Sequence, residues 1–303
     1  MIDTEDKSKR FSYSSLDTFC TCPMRFDLTY NKGFRSEKTT IALSLGSIAH
    51  KCLELCILTK MGKAKYTIDE LINILYKGWS DEEETIMGVD EIEEKFFDDF
   101  IEGKYSVKLI TFKELLRKDF IDTEWTPIAV EQEFTFEYED KCIFHGFIDR
   151  VDINSKGELR VVDYKTSKKV YDADKLNHAM QMGVYKNACK AIYGKTPVEY
   201  MYHFIFLDET QLALEGKYID KIEAKLSKVI DEIYANRRTN EWKPKPSPLC
   251  YWCPYTGSSP LADELYLGMC QYYSLWTPER KTYAVRKKWN ENDPLNKNNG
   301  FEW

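Results

Sequence analysis

The stretch of sequence that decides the fold is GFIDRVDINSKGELRVVDYKTSK, residues 146–168. Two largely apolar segments flank an Asn-Ser-Lys-Gly turn, a pattern that predicts a β-hairpin. A hairpin loop over residues 154–158 places Asp152 opposite Arg160 on one face and apolar side chains opposite one another on the other face. This register is favoured because a slip by one residue would disrupt both faces.

In this register Asp149 faces Asp163, and Lys165 points to the same side because it lies two residues beyond Asp163. Two adjacent carboxylates repel each other and are costly to remove from water, and a divalent cation would offset that cost. Oxygen ligands suit Mg²⁺ or Mn²⁺. The three residues therefore predict a metal-dependent catalytic site, with a surface salt bridge between Asp163 and Lys165 as the simpler alternative.

The segments on either side of the hairpin predict a mixed α/β fold. A strand with alternating polarity comes directly before the hairpin, and helical periodicity dominates the chain before that strand. We expect helices at 44–60, in several pieces across 66–122, at 172–192 and at 218–234, and strands at 133–138, 142–153, 158–164 and 198–207. This order indicates a small mixed sheet flanked by helices, with an acidic helical insertion.

The composition is that of a globular protein, with 43% hydrophobic and 31% charged residues among 303. The net charge of −7 argues against a protein that coats nucleic acid non-specifically. Basic residues concentrate at 237–245 and 280–288, where they form either a DNA path or an ordinary solvated surface. No apolar run approaches the ~20 residues of a membrane span, and the N-terminus lacks a signal peptide, so we expect a cytoplasmic protein.

The nine cysteines are expected to be reduced, because their number is odd and the expected compartment is reducing. Three of them follow apolar helical patterns and are expected in the core: Cys52, Cys56 and Cys189. Near the C-terminus Cys250 and Cys253 form a C-x-x-C motif, and Cys270 follows. Such a motif is typical of metal or redox sites, and the surrounding prolines disfavour the redox interpretation.

Four motifs in order resemble the RecB-like branch of the PD-(D/E)XK nucleases. The hairpin at 146–168 is similar to the nuclease motif itself. SYSSLDTFCTCPMRF at 12–26 resembles the N-terminal Ser, Leu and Cys-Pro segment, GSIAHKCLE at 46–54 the Gly-x-x-x-His helix, and QMGVYKNA at 181–188 the Gln-x-x-x-Tyr helix. The resemblance runs from about residue 12 to 270, and it implies a restriction-endonuclease-like core.

The resemblance also implies a role for each motif residue. The implied metal ligands are His50, Asp149, Asp163 and the backbone carbonyl of Tyr164. Lys165 would orient or activate the attacking water and stabilise charge on the phosphate, and Gln181 and Tyr185 would line the site and contact DNA. Without the hairpin, His50 would be an ordinary core histidine. Glu131 could bind a neighbouring metal, but a glutamate on the exposed face of a strand is the commoner account.

In the iron–sulfur enzymes of this family, a cysteine of the N-terminal Cys-Pro motif joins three late cysteines. The resemblance thus implies these ligands of a 4Fe–4S cluster: Cys22, Cys250, Cys253 and Cys270. Thiolate ligands also suit zinc, which stays an alternative. One departure matters: the gap before Cys270 is longer than the family usually shows. Cys20 is a rival of Cys22, but Cys22 has the matching proline.

The function that the resemblance implies is metal-dependent hydrolysis of DNA, by an exonuclease similar to those of CRISPR adaptation, of phage recombination and of AddB-like repair proteins. The alternatives are a structure-specific endonuclease and a non-catalytic DNA-binding or assembly subunit that keeps the fold. The expected partners are DNA with single-stranded or free duplex ends and either another protein or a second copy. We expect a nuclease core at 1–245 that includes an insertion at about 60–125, a cysteine-rich clasp at 246–275 and a basic polar tail at 276–303.

Overall fold

A computed structural model describes the following residues of the chain: 6–34, 36, 41–81, 106–118, 123–177, 179–213, 216–256, 259, 269–270, 273–274 and 285–286. Contacts divide the chain into two compact units. The first unit holds the predicted hairpin and the chain around it up to Lys228, and the second holds the segment that begins at Ser14 together with the chain from Val229 onward. Most of the acidic insertion and of the basic tail lies outside the described residues.

The first unit contains a mixed sheet of six strands. The strands are β1 (Arg10–Phe11), β2 (Trp125–Tyr138), β3 (Cys142–Asn154), β4 (Leu159–Lys165), β5 (Glu199–Phe204) and β6 (Glu209–Ala213). β2 pairs with one edge of β3, and β1 and β4 both pair with the other edge, at different positions along it. β5 pairs in parallel with β4, and β6 pairs antiparallel with β5 as the last strand of the sheet. The predicted mixed α/β fold with a small sheet flanked by helices is therefore confirmed.

The helices follow the predicted periodicity, with different ends. They are α1 (Tyr13–Thr21), α2 (Pro23–Phe26), α3 (Ile41–Lys60), α4 (Ile68–Asp81), α5 (Ser106–Arg117), α6 (Ala173–Asn177), α7 (Met180–Tyr193) and α8 (Gly216–Thr239). The apolar stripe of α3 is buried, including Cys52 and Cys56, and Cys189 of α7 is buried too, as the sequence predicts. No helix in the described part of the chain is long and apolar enough to cross a membrane.

Two local predictions are wrong. The expected helix over 172–192 is two helices, α6 and α7, because Ala179 has a non-helical ψ of 85° between them. The strand β6 is missed by the sequence analysis, since its short segment ETQLA carries little apolar character and is mostly exposed. The remaining strand order agrees with expectation, because β5 is a central strand buried between β4 and β6.

The hairpin has the predicted register. Arg150, Val151, Asp152 and Ile153 pair with Val162, Val161, Arg160 and Leu159, respectively. The loop closes through a hydrogen bond from the backbone N–H of Asn154 to the Glu158 carbonyl, and Gly157 has the positive φ of 74° that the turn requires. The register matters for function because it determines which side chains of β3 and β4 meet at the open end of the hairpin.

A buried charge network lies at the closed end of the hairpin. Asp152 is fully buried and lies 3.0 Å from Arg150 Nε and 2.9 Å from Arg160 Nη2. Arg150 also donates a 3.0 Å hydrogen bond to the Tyr164 hydroxyl, and Arg160 stacks over the ring of Trp125. Because buried charges are tolerated only when paired, the network constrains the arrangement of β3 and β4.

In the second unit, α1 and α2 meet through the aromatic side chain of Phe26. Its ring contacts Phe19 of α1 edge-on and stacks on Trp242, which follows α8. Pro23 occupies the first turn of α2, where its missing N–H leaves no helical hydrogen bond unmade. Cys22 immediately precedes α2 in an extended conformation.

Candidate active site

The site begins where β3 and β4 separate. The backbone pairs between β3 and β4 run from Arg150 to Ile153, so Asp149 lies just beyond the last pair. Its Oδ2 accepts a 2.7 Å hydrogen bond from the backbone N–H of Tyr164 on β4. This contact places Asp149 beside the segment that carries Asp163 and Lys165. The predicted grouping of two carboxylates and an ammonium at one end of the hairpin is therefore present in the structure.

Asp163 is held from two directions. Its Oδ1 accepts hydrogen bonds from Gln181 Nε2 (2.7 Å) and from the Tyr185 hydroxyl (3.2 Å), both on α7. Its Oδ2 lies 2.5 Å from Lys165 Nζ. The side chains of Gln181 and Tyr185 also contact each other, at 2.9 Å, and Gln181 Oε1 accepts a 3.0 Å hydrogen bond from Lys165. Gln181 therefore joins the predicted catalytic residues into one network.

His50 of α3 approaches Asp149 from the other side. Its Nδ1 lies 3.6 Å from Asp149 Oδ2, and its ring contacts the ring of Tyr164 edge-on. In the described part of the chain, the one group of three or more His, Cys, Asp and Glu residues whose ligand atoms lie within 4.8 Å of one another is His50, Glu131 and Asp149. Asp163 is not a member of this group. It raises the pKa of Asp149, but its own hydrogen bonds belong to the network around Gln181.

The electrostatics of the site show an excess of buried negative charge. Burial raises the pKa of Asp149 well above its ordinary value, and the neighbouring Asp163 raises it further. Burial lowers the pKa of His50, although attraction to Asp163 opposes this effect. For Lys165 burial acts to lower the pKa, but the attraction of Asp163 and other neighbours outweighs it, so the pKa is raised and the amine stays protonated.

These residues fit a divalent cation. Around Mg²⁺, with bonds of about 2.1 Å, adjacent ligand atoms lie ~3 Å apart and opposite ones ~4.2 Å apart. The donor atoms of His50, Glu131 and Asp149 need only small side-chain adjustments to reach such separations. A cation would also favour the charged form of Asp149, whose burial is otherwise unfavourable. The group shares His50 and Asp149 with the predicted ligands and contains Glu131 where Asp163 was expected.

Glu131 is the site residue that the sequence analysis underrated. Its backbone has a φ of 43°, a left-handed conformation that is uncommon for glutamate and costs roughly 1–3 kcal/mol. Burial raises the pKa of its carboxyl, and the nearby Glu54 and Asp163 raise it further. In the structure, continuing the β2–β3 register from Val130–Arg150 and Gln132–Ile148 places Glu131 opposite Asp149. The sequence alone does not establish this register.

An open cleft of about 610 Å³ extends from this group along α3. Its lining includes one face of α3, Glu131 of β2 and Thr166, which follows β4. Gly46 faces Thr166 closely, since a Cβ atom at Gly46 would lie 3.3 Å from the Thr166 hydroxyl oxygen. On the same helix Lys51 donates a 2.7 Å hydrogen bond to Glu54. His50 and Glu131 of the candidate ligand group therefore face an open cleft.

The predicted cysteine ligands lie together in the second unit. One cavity is lined by all four: Cys22, Cys250, Cys253 and Cys270. Backbone N–H groups of Lys245 and Ser247 donate to the sulfurs of Cys22 and Cys250, at 3.4 and 3.3 Å. Cys253 and Cys270 belong to a buried apolar cluster with Leu28, Tyr255 and Met269. Among the described cysteines, no three sulfur atoms lie within 4.8 Å of one another, so the structure itself shows no compact metal cluster.

Acidic residues, a lysine and a histidine at the open end of a β-hairpin form an arrangement that can hold a divalent cation, the centre of metal-assisted hydrolysis. The chain belongs to the PD-(D/E)XK nuclease superfamily, whose sequence model matches residues 10–258. The resemblance inferred from the four motifs is thus confirmed at the level of the superfamily.

Curated relatives are similar over part of the chain. An ATP-dependent helicase/deoxyribonuclease subunit of Carboxydothermus hydrogenoformans is 28% identical over 183 residues, 52% of this chain and 16% of that protein. The protein of the same name in Streptococcus agalactiae is 24% identical over 207 residues, 64% of this chain and 18% of that protein. The chain therefore spans less than a fifth of the length of these relatives. The solved structure titled "Crystal structure of SSO0001" has a TM-score of 0.34 at 12% identity and covers 84% of this chain and 85% of that chain.

Proposed function

We propose that the protein is a metal-dependent DNA exonuclease. The observation that carries this proposal is the network in which Gln181 joins Asp163, Lys165 and Tyr185 next to the ligand group of His50 and Asp149. Mg²⁺ and Mn²⁺ suit the oxygen-rich donors. DNA as the substrate is supported by the names of the similar curated proteins, which are deoxyribonuclease subunits.

Each residue has a distinct task in this proposal. The ligands of the cation would be His50, Asp149, Asp163 and the backbone carbonyl of Tyr164. When bound, the cation activates water and offsets charge on the phosphate. Lys165, kept protonated by Asp163, donates hydrogen bonds to the attacking water or to a phosphate oxygen. Tyr185 and Gln181 hold the Asp163 carboxylate in position. Gln181 is half-buried and would contact DNA more readily than Tyr185, which is buried.

Two variants test the catalytic assignment. Asp163→Ala and Lys165→Ala should abolish metal-dependent digestion of end-labelled linear DNA while the protein remains folded by circular dichroism. Lys195→Ala is the matched control, because this exposed lysine contacts only the hairpin turn, through the Gly157 carbonyl. Wild-type activity in either of the first two purified variants would contradict the proposal.

The substrate form separates the alternatives. An exonuclease digests linear DNA from its ends and leaves covalently closed circles intact, whereas an endonuclease also cuts the circles. A non-catalytic assembly subunit would bind DNA and cleave neither form under any metal condition. Time courses on matched linear and circular substrates, with Mg²⁺, Mn²⁺ or a chelator, therefore decide among the three functions.

For the cysteine clasp we propose a 4Fe–4S cluster held by the four cysteines that line one cavity. The support comes from the two backbone N–H groups that donate to thiol sulfurs, a typical arrangement around cluster ligands, and from the apolar surroundings of Cys253 and Cys270. Four thiolates on one zinc ion, with bonds of about 2.3 Å, would lie ~3.8 Å apart. Zinc therefore stays the alternative that elemental analysis must separate from a cluster.

Protein purified without oxygen should contain iron and sulfide and little zinc by elemental analysis. Cys22→Ser should lose the iron, whereas Cys20→Ser should keep it, because Cys20 does not line the cavity. Zinc in place of iron would support the zinc-clasped alternative. Iron retained in Cys22→Ser but lost in Cys20→Ser would show that the ligand assignment is wrong.

A protein partner is a further part of the proposal. The similar curated proteins are named as subunits, so we propose that this chain also works within an assembly in DNA recombination, DNA repair, phage replication or CRISPR adaptation. Light scattering of the purified chain, alone and with DNA ends, measures whether it forms homo-oligomers. A partner from the same cell would be identified by affinity purification under low salt.

A further inference from the structure

The carboxylate of Glu131 has an unusual position for a strand residue. It lies opposite Asp149 in the β2–β3 register and supplies one of the three ligand atoms that lie within 4.8 Å of one another. It comes from β2, a strand that contributes none of the predicted metal ligands. The sequence motifs therefore do not account for it.

Glu131 differs from the neighbouring carboxylates in its hydrogen-bond and ion-pair partners. Asp163 already contacts Lys165 and Gln181 through its two oxygens. Lys51 attracts the Glu131 carboxylate, but the ammonium group of Lys51 donates a 2.7 Å hydrogen bond to Glu54. The Glu131 carboxylate thus lies between other acidic groups and shares its cationic neighbour with one of them.

We infer that Glu131 is a ligand of the divalent cation, in addition to the residues that the family resemblance implies. Glu131, Asp149 and Asp163 together with Lys165 carry a formal charge of −2, which one divalent cation balances. The half-exposed Glu131 also lines the cleft, so it can bind the cation directly or through an ordered water. This inference rests on the proposed function, because it requires that the site binds a divalent cation.

The test is a Mn²⁺ titration of the full chain without DNA, in which electron paramagnetic resonance measures the free ion. Glu131→Gln should weaken Mn²⁺ binding at least about tenfold, as expected when a metal site loses a ligand. The matched control is Glu133→Gln, because Glu133 lies on the same strand and is exposed, and it should bind as the wild type does. Asp149→Asn should also weaken binding, which tests the cation site itself.

The outcomes separate the inference from the proposed function. Wild-type affinity in Glu131→Gln combined with weak binding in Asp149→Asn would overturn the role of Glu131 and leave the proposed function intact. Wild-type affinity in both variants, or no binding by the wild-type chain, would overturn both. Thermal unfolding in a chelator provides a second measurement: Glu131→Gln should melt no lower than the wild type, because the change removes a charge from an acidic neighbourhood. A lower melting temperature would contradict the inference, since it would make Glu131 a structural residue.

Discussion

Replacing Gln181 with leucine tests whether the network around Asp163 positions Lys165, the lysine proposed to act in catalysis. Gln181→Leu keeps the volume of the side chain and removes its hydrogen bonds to Asp163 (2.7 Å), Tyr185 (2.9 Å) and Lys165 (3.0 Å). Two of these involve charged groups, and each such bond contributes about 1.5–3 kcal/mol. Because Asp163 keeps Tyr185 and Lys165 as partners, we expect the free energy of unfolding to fall by about 2–3 kcal/mol.

The same change should slow DNA cleavage about 10- to 100-fold, because Lys165 loses the amide oxygen that orients its ammonium group. This corresponds to about 1.4–2.7 kcal/mol in the activation barrier. The assay is single-turnover cleavage at saturating Mn²⁺, with urea denaturation for stability. Asn187→Ala is the control on the same helix, because its amide bonds the Gly183 carbonyl away from Asp163. Wild-type cleavage in Gln181→Leu, or equal slowing in the control, would refute the positioning role.

Three further predictions concern buried polar residues of the sheet: His203 of β5, Asp152 of β3 and Tyr164 of β4. Burial lowers the pKa of His203 to about 4, so below pH 6.5 the unfolded chain binds a proton that the folded chain does not. Stability should therefore fall by about 3 kcal/mol as the pH drops from 6.5 towards 4, and His203→Gln should remove this dependence in urea denaturation at several pH values. Asp152→Asn should lower the free energy of unfolding by about 3–5 kcal/mol, because the buried Arg150 loses its carboxylate partner and Arg160 is left with Glu199, 3.9 Å away. Tyr164→Phe should cost about 1–3 kcal/mol, since Arg150 loses a buried acceptor, while cleavage persists because the site uses the backbone of that residue.

One control, in the turn between β2 and β3, serves for these three variants. Asp140→Asn replaces an exposed residue with a φ of 51°, a conformation that asparagine readily adopts, and should change stability by less than about 0.5 kcal/mol. An unaltered pH profile in His203→Gln would mean that another group titrates. A loss below about 1 kcal/mol in Asp152→Asn would show that water or a shift of the strands compensates the arginines.

The hairpin could be derived from sequence because its two faces impose independent constraints on one register. Asp152 and Arg160 had to meet on one face and the apolar residues on the other, and the observed pairing satisfies both. The break at Ala179 could not be derived, because the residues on either side of it keep an apolar helical pattern. The strand β6 was not predicted because its residues are mostly exposed, so its sequence shows no alternation of apolar and polar residues.

For the candidate site, the sequence predicted which residues lie close together. It did not predict which hydrogen bonds join them. His50, Asp149, Asp163 and Lys165 lie together as expected. The role of Gln181 as the link among Asp163, Lys165 and Tyr185 depends on the exact position of α7 over β4, which periodicity alone does not provide. Glu131 was underrated because its left-handed backbone breaks the alternation from which the exposure of a strand residue is inferred.

The contact between Lys165 and Asp163 would link the lysine to the binding of a cation. The ammonium group of Lys165 donates to the Asp163 carboxylate and to Gln181 Oε1. Under the proposed function, a cation that binds Asp163 would draw this carboxylate away from Lys165 and leave the ammonium group more of its three N–H donors for a phosphate oxygen. DNA that is added before the metal should then show a lag in the first turnover that is absent when the metal is added first.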